Sequence, residues 1–349
     1  MLLARPRGFC AGVEMAIKAL SWMVRIFESP VYCYHEIVHN KLVVEDFTAR
    51  GVIFVDSVDE VPEGAPLMLS AHGTAPAVEA AASERDRVVV DSACPLVTKV
   101  HHEMKVRVRK GYTVIYVGHE GHEEAVGTMA VAPEAVRLVE SPEDVARLDD
   151  PATPVALLAQ TTLSHDDWSD TLAAAQERFP ELWLPGRGDL CYATTNRQAA
   201  VRVIAPQVDA LVVLGSANSS NTVSLAKVAK AAGCPRVFRV NRAAELPDDL
   251  SGVVGVTAGA SAPEWLVDET IAKLSPASGV EAVDVLDEDE YFPPPRELRE
   301  LVRAVADAAA AAVGGPMPEA SPLGDDREIE ATSVLGNIHL AGTALGAAS

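Results

Sequence analysis

Three cysteines in loop-like surroundings, in GFCAGV at Cys10, SACPLVTK at Cys94 and DLCYATTN at Cys191, could do chemistry together. Gly or Pro neighbours and the helical runs that follow place each thiol where a helix opens. Three converging thiolates make a metal or iron–sulfur site with one position left open for substrate. No C-x-x-C pair is present, so by spacing alone zinc fits three cysteines as well as iron does. The other two cysteines read differently: Cys33 in VYCY as a buried strand residue, Cys234 in AAGCPR as a turn residue.

A polar cluster follows each of the three at a similar distance: His39, His122 and Ser219. A second comes later: His72 in SAHGT, Thr161 in QTTLS and Ser261 in AGASAP. Units of about 90 residues, each giving one Cys and two polar clusters, point to domain triplication around one centre, since the period is too long for a solenoid. Most of these clusters fall between an apolar strand and a helix. In parallel α/β sheets ligands bind at the carboxyl ends of strands, and helix N-termini there offer free N–H groups to anions. One such polar residue is most simply an N-cap; six at matched offsets suit a phosphate or diphosphate.

HEIVH at residues 35–39 also matches the H-E-x-x-H pattern of zinc peptidases, which needs both His on one helical face. Pro30 and the β-branched and aromatic run VYCY predict a strand before it, and Asn40 is a good N-cap for a helix after it. His35 and His39 then do not share a helical face.

The elements that position these residues alternate. Apolar runs at 31–34, 52–55, 67–71, 88–91, 113–118, 136–140, 155–160, 210–215, 236–240 and 253–259 predict strands, and helical stretches separate most of them. In the first helix Val13, Ile17, Leu20, Val24 and Phe27 recur at helical spacing. Near-continuous apolar strands alternating with helices imply α/β architecture with mostly parallel sheets covered on both faces.

The 349 residues are enough for two or three domains, and a net charge of −21 speaks against a general nucleic-acid binder. A basic run, KVHHEMKVRVRK at 99–110, reads first as a solvated helix face. No segment approaches the ~20 apolar residues of a membrane span, and the N-terminus lacks an apolar signal core. Few, scattered cysteines suit a reducing compartment. A cytoplasmic protein with no nucleic-acid or membrane partner is the expectation.

The ordered set PRGFCAGV, HEIVHN, SAHG, CPLVTKV, GHEGHEE, QTTLS, CYATTNRQ, GSANSSN and TAGASAP resembles the IspH/LytB family, the 4-hydroxy-3-methylbut-2-enyl diphosphate reductases of the methylerythritol phosphate route to isoprenoids. The resemblance runs from about residue 2 to residue 300 and turns HEIVH into a diphosphate-binding segment. It implies that Cys10, Cys94 and Cys191 hold one [4Fe–4S] cluster per chain, with one iron not ligated by protein. It implies that His39, His72, His122, Ser219, Ser220, Asn221 and Ser261 bind the substrate diphosphate. Among catalytic residues it gives Glu124 the proton-delivering carboxylate, Thr161 the hydroxyl that orients the substrate's own, and His122 a place beside them. Glu120 and Glu123 are expected to be solvated.

The resemblance further implies a cloverleaf of three similar α/β domains around the cluster. They are placed at 1–94, 95–187 and 188–275, with a segment at 276–313 closing on the core and a disordered, dispensable tail at 314–349. The implied reaction is two-electron reductive dehydroxylation to isopentenyl and dimethylallyl diphosphate, with a ferredoxin or flavodoxin as electron donor. Lys99, Lys105, Arg107, Arg109 and Lys110 are the candidate docking patch for that donor. One departure is VGTMA at 126–130, where the family often shows EGTMG with one more carboxylate.

Overall fold

The computed structural model describes residues 1–84, 87–313 and 326–335. In the first third, β1 (Leu2–Arg5) leads into α1 (Ala11–Ile26), then β2 (Val31–Tyr34), α2 (Lys41–Thr48), β3 (Val52–Val55), β4 (Leu67–Leu69), α3 (Pro76–Ser83) and β5 (Val89–Asp91). The second third holds α4 (Pro95–Arg109), β6 (Thr113–Val117), α5 (Glu123–Met129), β7 (Val136–Val139), α6 (Pro142–Arg147), β8 (Val155–Ala159) and α7 (His165–Arg178). The last holds α8 (Tyr192–Ile204), β9 (Ala210–Leu214), α9 (Ser220–Ala231), β10 (Val237–Val240), β11 (Val254–Ala258), α10 (Trp265–Leu274), β12 (Glu281–Asp284) and α11 (Arg296–Val313).

These strands form three sheets, ordered β3-β2-β4-β5, β7-β6-β8 and β10-β9-β11-β1-β12. Every pairing is parallel. The composition of the strands explains this: β8, β9 and β11 are buried at every position, as strands covered by helices on both faces must be. Each sheet carries its own apolar core. Ile17, Leu20, Met23 and Phe47 pack over the first, Leu157 and Leu163 over the second, and Leu211, Val213 and Leu225 over the third. Truncating one such fully buried Leu or Ile to Ala costs about 2–5 kcal/mol.

The first strand breaks chain order. β1 lies between β11 and β12 in the sheet of the last third, with Leu3 beside Val256 and Ala282. The chain therefore starts in one lobe and crosses through α1 to the next, placing Cys10 at the crossing. Sequence periodicity missed β1 and β12 because both are four residues long and β12, EAVD, is exposed at both ends.

The chain end also departs from expectation. α11 buries Leu298 and Val302 in the core beneath α1. Residues 326–335, expected to belong to a disordered tail, pack on the same helix, with Ala331 and Leu335 buried. Glu14 accepts a hydrogen bond from the Ala331 amide at 2.6 Å, the Lys18 ammonium donates to the Asp326 carbonyl at 3.1 Å, and Arg50 donates to the Leu335 carbonyl at 2.7 Å. Three polar anchors and two buried side chains offset the entropy of ordering this segment, none of which its composition reveals. The rest of 314–349 lies outside the described residues.

Candidate active site

Each of the three loop cysteines is the N-cap of a helix: Cys10 of α1, Cys94 of α4 and Cys191 of α8. Their helices thus point their positive ends at the thiols, which favours thiolate and anion alike. Gly12 makes the approach possible, because a Cβ there would lie 2.8 Å from the Cys94 sulfur and 4.0 Å from that of Cys10. Cys191 Sγ accepts a hydrogen bond from the Thr194 amide at 3.2 Å and lies 3.0 Å from the Thr194 hydroxyl. All three thiols line one cavity.

Desolvation dominates their acidity. Burial pushes the thiols of Cys10 and Cys94 upward and that of Cys191 up to about 11. Mutual proximity adds to the effect for Cys94 and Cys191. A cluster of thiols this costly to ionise in isolation suits a cation that binds them as thiolates and reverses the local charge balance. The soft three-sulfur donor set fits an iron–sulfur cluster. Cys33 and Cys234 are buried elsewhere, in β2 and after α9, as their sequence contexts indicated.

Across the same cavity lie the imidazoles. His39 and His72 stack at 3.7 Å between ring centroids, and His122 meets His39 edge-on at 5.2 Å. His39 directly precedes Asn40, whose side chain caps α2, so HEIVH is a strand exit and loop and not a helical zinc motif. His35, at φ +58°, turns the chain there. Burial holds the imidazoles of His72 and His122 down to about 4 and about 3, with neighbouring imidazoles acting in the same direction. Both nitrogens of His39 and Nε2 of His122 are buried with no hydrogen-bond partner among the described residues. Such atoms are costly unless a ligand meets them.

The third lobe supplies hydroxyls and an amide. Ser219 caps α9, and Ser220 and Asn221 open it, with all three on the cavity wall. Asn221 Oδ1 accepts from the Ala260 amide at 2.9 Å, and Ser261 donates its hydroxyl proton to the His39 carbonyl at 2.9 Å. The last bond joins the first and third lobes at the site. His122 and Ser219 are N-caps as the simpler reading had it, yet both also face the cavity.

Glu124 is 2% exposed and is gripped twice by one residue: it accepts from the Thr161 amide at 2.7 Å and from the Thr161 hydroxyl at 3.0 Å. Burial raises its carboxyl to about 7, against the opposing pull of those two bonds. A carboxyl poised there can give or hold a proton at neutral pH. Val126, in the place of the family's usual acid, is 53% exposed and does not line the cavity, so this departure leaves the site's charge unaltered.

Two expectations need correction. Glu123 is not simply solvated: it lies 2.9 Å from His72 Nδ1 and 3.4 Å from His35 Nδ1, and its carboxyl is held far below the ordinary range by those neighbours despite burial. In the sequence it is one of three acids in GHEGHEE, with nothing local to set it apart. The basic run is partly engaged: Lys99 binds Asp189 and two carbonyls, and Arg107 stacks on Trp183 at 4.0 Å and pairs with Glu103. Lys105, Arg109 and Lys110 are exposed. Gln160, which donates to Thr162 and Ser220 beside the cavity, was also missed because an amide next to Thr161 carries no distinctive pattern.

The family model of the LytB protein matches residues 1–275. Curated relatives named 4-hydroxy-3-methylbut-2-enyl diphosphate reductase include one from Rhodopirellula baltica, 48% identical over 86% of this chain and 95% of its own. Another, from Cereibacter sphaeroides, is 49% identical over 86% of this chain and 96% of its own. Among solved structures, the E-1-hydroxy-2-methyl-but-2-enyl-4-diphosphate reductase from Plasmodium falciparum superposes with a TM-score of 0.84 at 30% identity, covering 87% of this chain and 98% of that one. With its motifs in order on one cavity and this likeness over most of its length, the chain belongs to the LytB protein family.

Proposed function

We propose that the chain reduces (E)-4-hydroxy-3-methylbut-2-enyl diphosphate to isopentenyl and dimethylallyl diphosphate, the terminal step of the non-mevalonate isoprenoid pathway. The observation that carries the reading is the cavity itself: three thiols, three imidazoles, the Ser219–Asn221 helix opening and the Glu124–Thr161 pair all face it. The relatives' names agree with it, and a solved structure titled as the terminal enzyme of the non-mevalonate pathway aligns at TM-score 0.59 and 29% identity over 78% of this chain.

In this reading Cys10, Cys94 and Cys191 hold a [4Fe–4S] cluster. When bound, the cluster would pass on the donor's two electrons one at a time and would offer a Lewis-acidic open iron to the allylic oxygen. The protein's own residues do the rest. His39, His72, His122, Ser219, Ser220, Asn221 and Ser261 bind the diphosphate through imidazole, hydroxyl and amide donors and the α9 N-terminus. Thr161 orients the substrate hydroxyl, and Glu124, protonated near neutrality, supplies the proton with which the oxygen leaves as water. The overall balance is two electrons and two protons in, one water out, with the second proton ending on carbon. Expelling hydroxide unprotonated would be far costlier, which is why a buried acid belongs here.

A ferredoxin or flavodoxin donor is part of the proposal, and exposed Lys105, Arg109 and Lys110 are cations on which an acidic donor could dock. Among the described residues no helix is long and apolar enough to cross a membrane, and a reducing cytoplasm suits the free thiols. Anaerobic purification, iron and sulfide analysis and turnover with a chemical reductant test the reading. A brown protein that forms both products supports it; a colourless protein holding one zinc and forming neither would overturn it.

A further inference from the structure

Glu123 is an acid set against the imidazoles of the site, and neither the sequence pattern nor the proposed chemistry gives it a task. It sits at the first position of α5, in the second lobe, and reaches the first lobe twice. Its Oε2 is 2.9 Å from His72 Nδ1 and its Oε1 is 3.4 Å from His35 Nδ1. His39, His72 and Glu123 place one ligand-capable atom each within 4.8 Å of one another. The His72 contact is close without being aligned as a hydrogen bond, since both atoms lack a hydrogen-bond partner. It is a contact of charge, and it strengthens when the imidazole is protonated.

Resting on the diphosphate reading above, we propose that Glu123 is a positioning residue that acts through His72. Its carboxylate is the counter-charge that lets the stacked His39–His72 pair take up a proton as a polyanion enters, while its second contact ties the His35–His39 loop to α5. The physical need is plain. Two stacked imidazoles in a desolvated site repel any shared positive charge, and burial disfavours the charged form. A neutral pair offers a diphosphate only weak donors; a protonated one offers charge-assisted bonds roughly twice as strong. A fixed carboxylate behind the rings makes the protonated form accessible.

The groups that bear on this balance come from four elements, β2, β3, β4 and α5. His35, Glu36 and His39 lie on the loop after β2, with Tyr34 and Asp56 beside His35. His72 follows β4, and His119 and His122 precede α5. Glu36 is the other acid, 3.6 Å from His39 Nδ1, and is held toward the third lobe by Asn218, which donates to it at 2.7 Å. Among the described residues Glu123 is the acid that pairs directly with His72, while Glu36 acts on it from farther away.

The test is the affinity of the cluster-loaded protein for inorganic diphosphate, measured anaerobically by calorimetry between about pH 6 and about pH 8, where imidazoles titrate. Glu123→Gln keeps the shape and removes the charge. With the free imidazole held down to about 4, binding near pH 6 draws a proton in with the anion, so it should weaken about tenfold there, and the difference should close toward the alkaline end, where neither protein takes up the proton. In a His72→Asn background the same change should alter affinity less than about twofold, since the partner is gone. A pH-independent loss, or full additivity with His72→Asn, would reduce Glu123 to a structural contact and overturn the inference. So would stoichiometric zinc or another divalent ion held by the wild type and lost in Glu123→Gln, which would mark a cation site. If Glu123→Gln does not fold, Glu123→Asp decides: a wild-type pH profile supports the counter-charge, and an acid-shifted one overturns it. Failure of the wild type to bind diphosphate at any pH would sink the diphosphate reading itself, whereas wild-type binding with an unaltered Glu123→Gln profile sinks only this inference.

Discussion

Thr161 holds both oxygens of Glu124, its amide on one and its hydroxyl on the other, at 2.7 and 3.0 Å. The grip fixes the carboxyl plane from a different strand end, β8, than the one that delivers the acid, β6. It stabilises the ionised form, while burial opposes it and prevails, leaving the carboxyl near 7. The native state therefore keeps the proton between about 4.5, the usual carboxyl value, and about 7, where the unfolded chain has lost it. Stability contributed by this group falls as pH rises through that window and is level above it. The proton available for chemistry is lost over the same upper edge.

Turnover should accordingly decline as pH rises through about 7, and Glu124→Gln should flatten that limb while lowering the rate by about 10²–10⁴-fold, the usual range for a general acid. Iron content should be unaltered, because Glu124 is not among the thiol ligands. Product formation by protein kept reduced with excess chemical reductant checks it, and a near-normal rate in Glu124→Gln would remove the acid role.

Replacing Cys10, Cys94 or Cys191 by Ser should strip most of the iron, since each is one of the three proposed ligands and caps a helix N-terminus. Cys33→Ser and Cys234→Ser should keep the iron, because both thiols lie outside the cavity. Cys33→Ser buries a hydroxyl in the first core and should cost about 1–3 kcal/mol in denaturant unfolding. Full iron content in Cys94→Ser would end the ligand assignment.

The site was more legible than the framework that holds it. Cys10, His39, His72 and their later counterparts stood out because each pairs an unusual residue type with a strand-to-helix junction, and the structure brings them all to one cavity. Glu123 was hidden by its neighbours: in GHEGHEE one carboxylate is buried and proton-poised and another is pinned by imidazoles, a difference set by helix phase and by residues distant in sequence. β1 was invisible for a related reason. Its four residues gain strand character only from β11 and β12, at the far end of the chain. The 326–335 segment likewise depends on Glu14, Lys18 and Arg50 for its order, and its own composition shows no period.

That segment makes truncation costly. A chain stopped at Gly314 loses the Asp326 and Ala331 contacts, uncovers the α1 face under Ala331 and Leu335, and strips Lys18, only 6% exposed in the native chain, of its Asp326 carbonyl partner. Thermal unfolding should come earlier by up to a few degrees, as about 1 kcal/mol shifts Tm by about 2–4 °C in a chain of 150–250 residues and by less in one of 349. The cavity residues belong to other segments, so iron loading at low temperature should persist. An unchanged melting temperature would show that the segment adds nothing to the fold.

Arg197 offers the sharpest test of how the cysteine loop is built. It is 0% exposed, and its guanidinium donates to the Gly8 carbonyl at 3.0 and 2.7 Å and to the Phe9 carbonyl at 3.1 Å, with Glu288 accepting on its other side at 3.0 Å. One residue of α8 thereby fixes the backbone that presents Cys10, two turns from Cys191 on the same helix. Its charge also opposes the burial that pushes the Cys10 thiol upward. Lys cannot reproduce the fork, because an ammonium has no planar set of donors to span two carbonyls and a carboxylate. Arg197→Lys should therefore leave carbonyls unsatisfied and Glu288 half-paired, a loss in the range of about 3–5 kcal/mol seen when a buried pair is broken. Glu288→Gln keeps a hydrogen-bond acceptor and should cost less. Denaturant unfolding of the metal-free protein separates the two variants, and iron retention in the loaded protein should fall in the same order. Equal stability of Arg197→Lys and wild type would mean that the Cys10 loop holds its shape without the guanidinium.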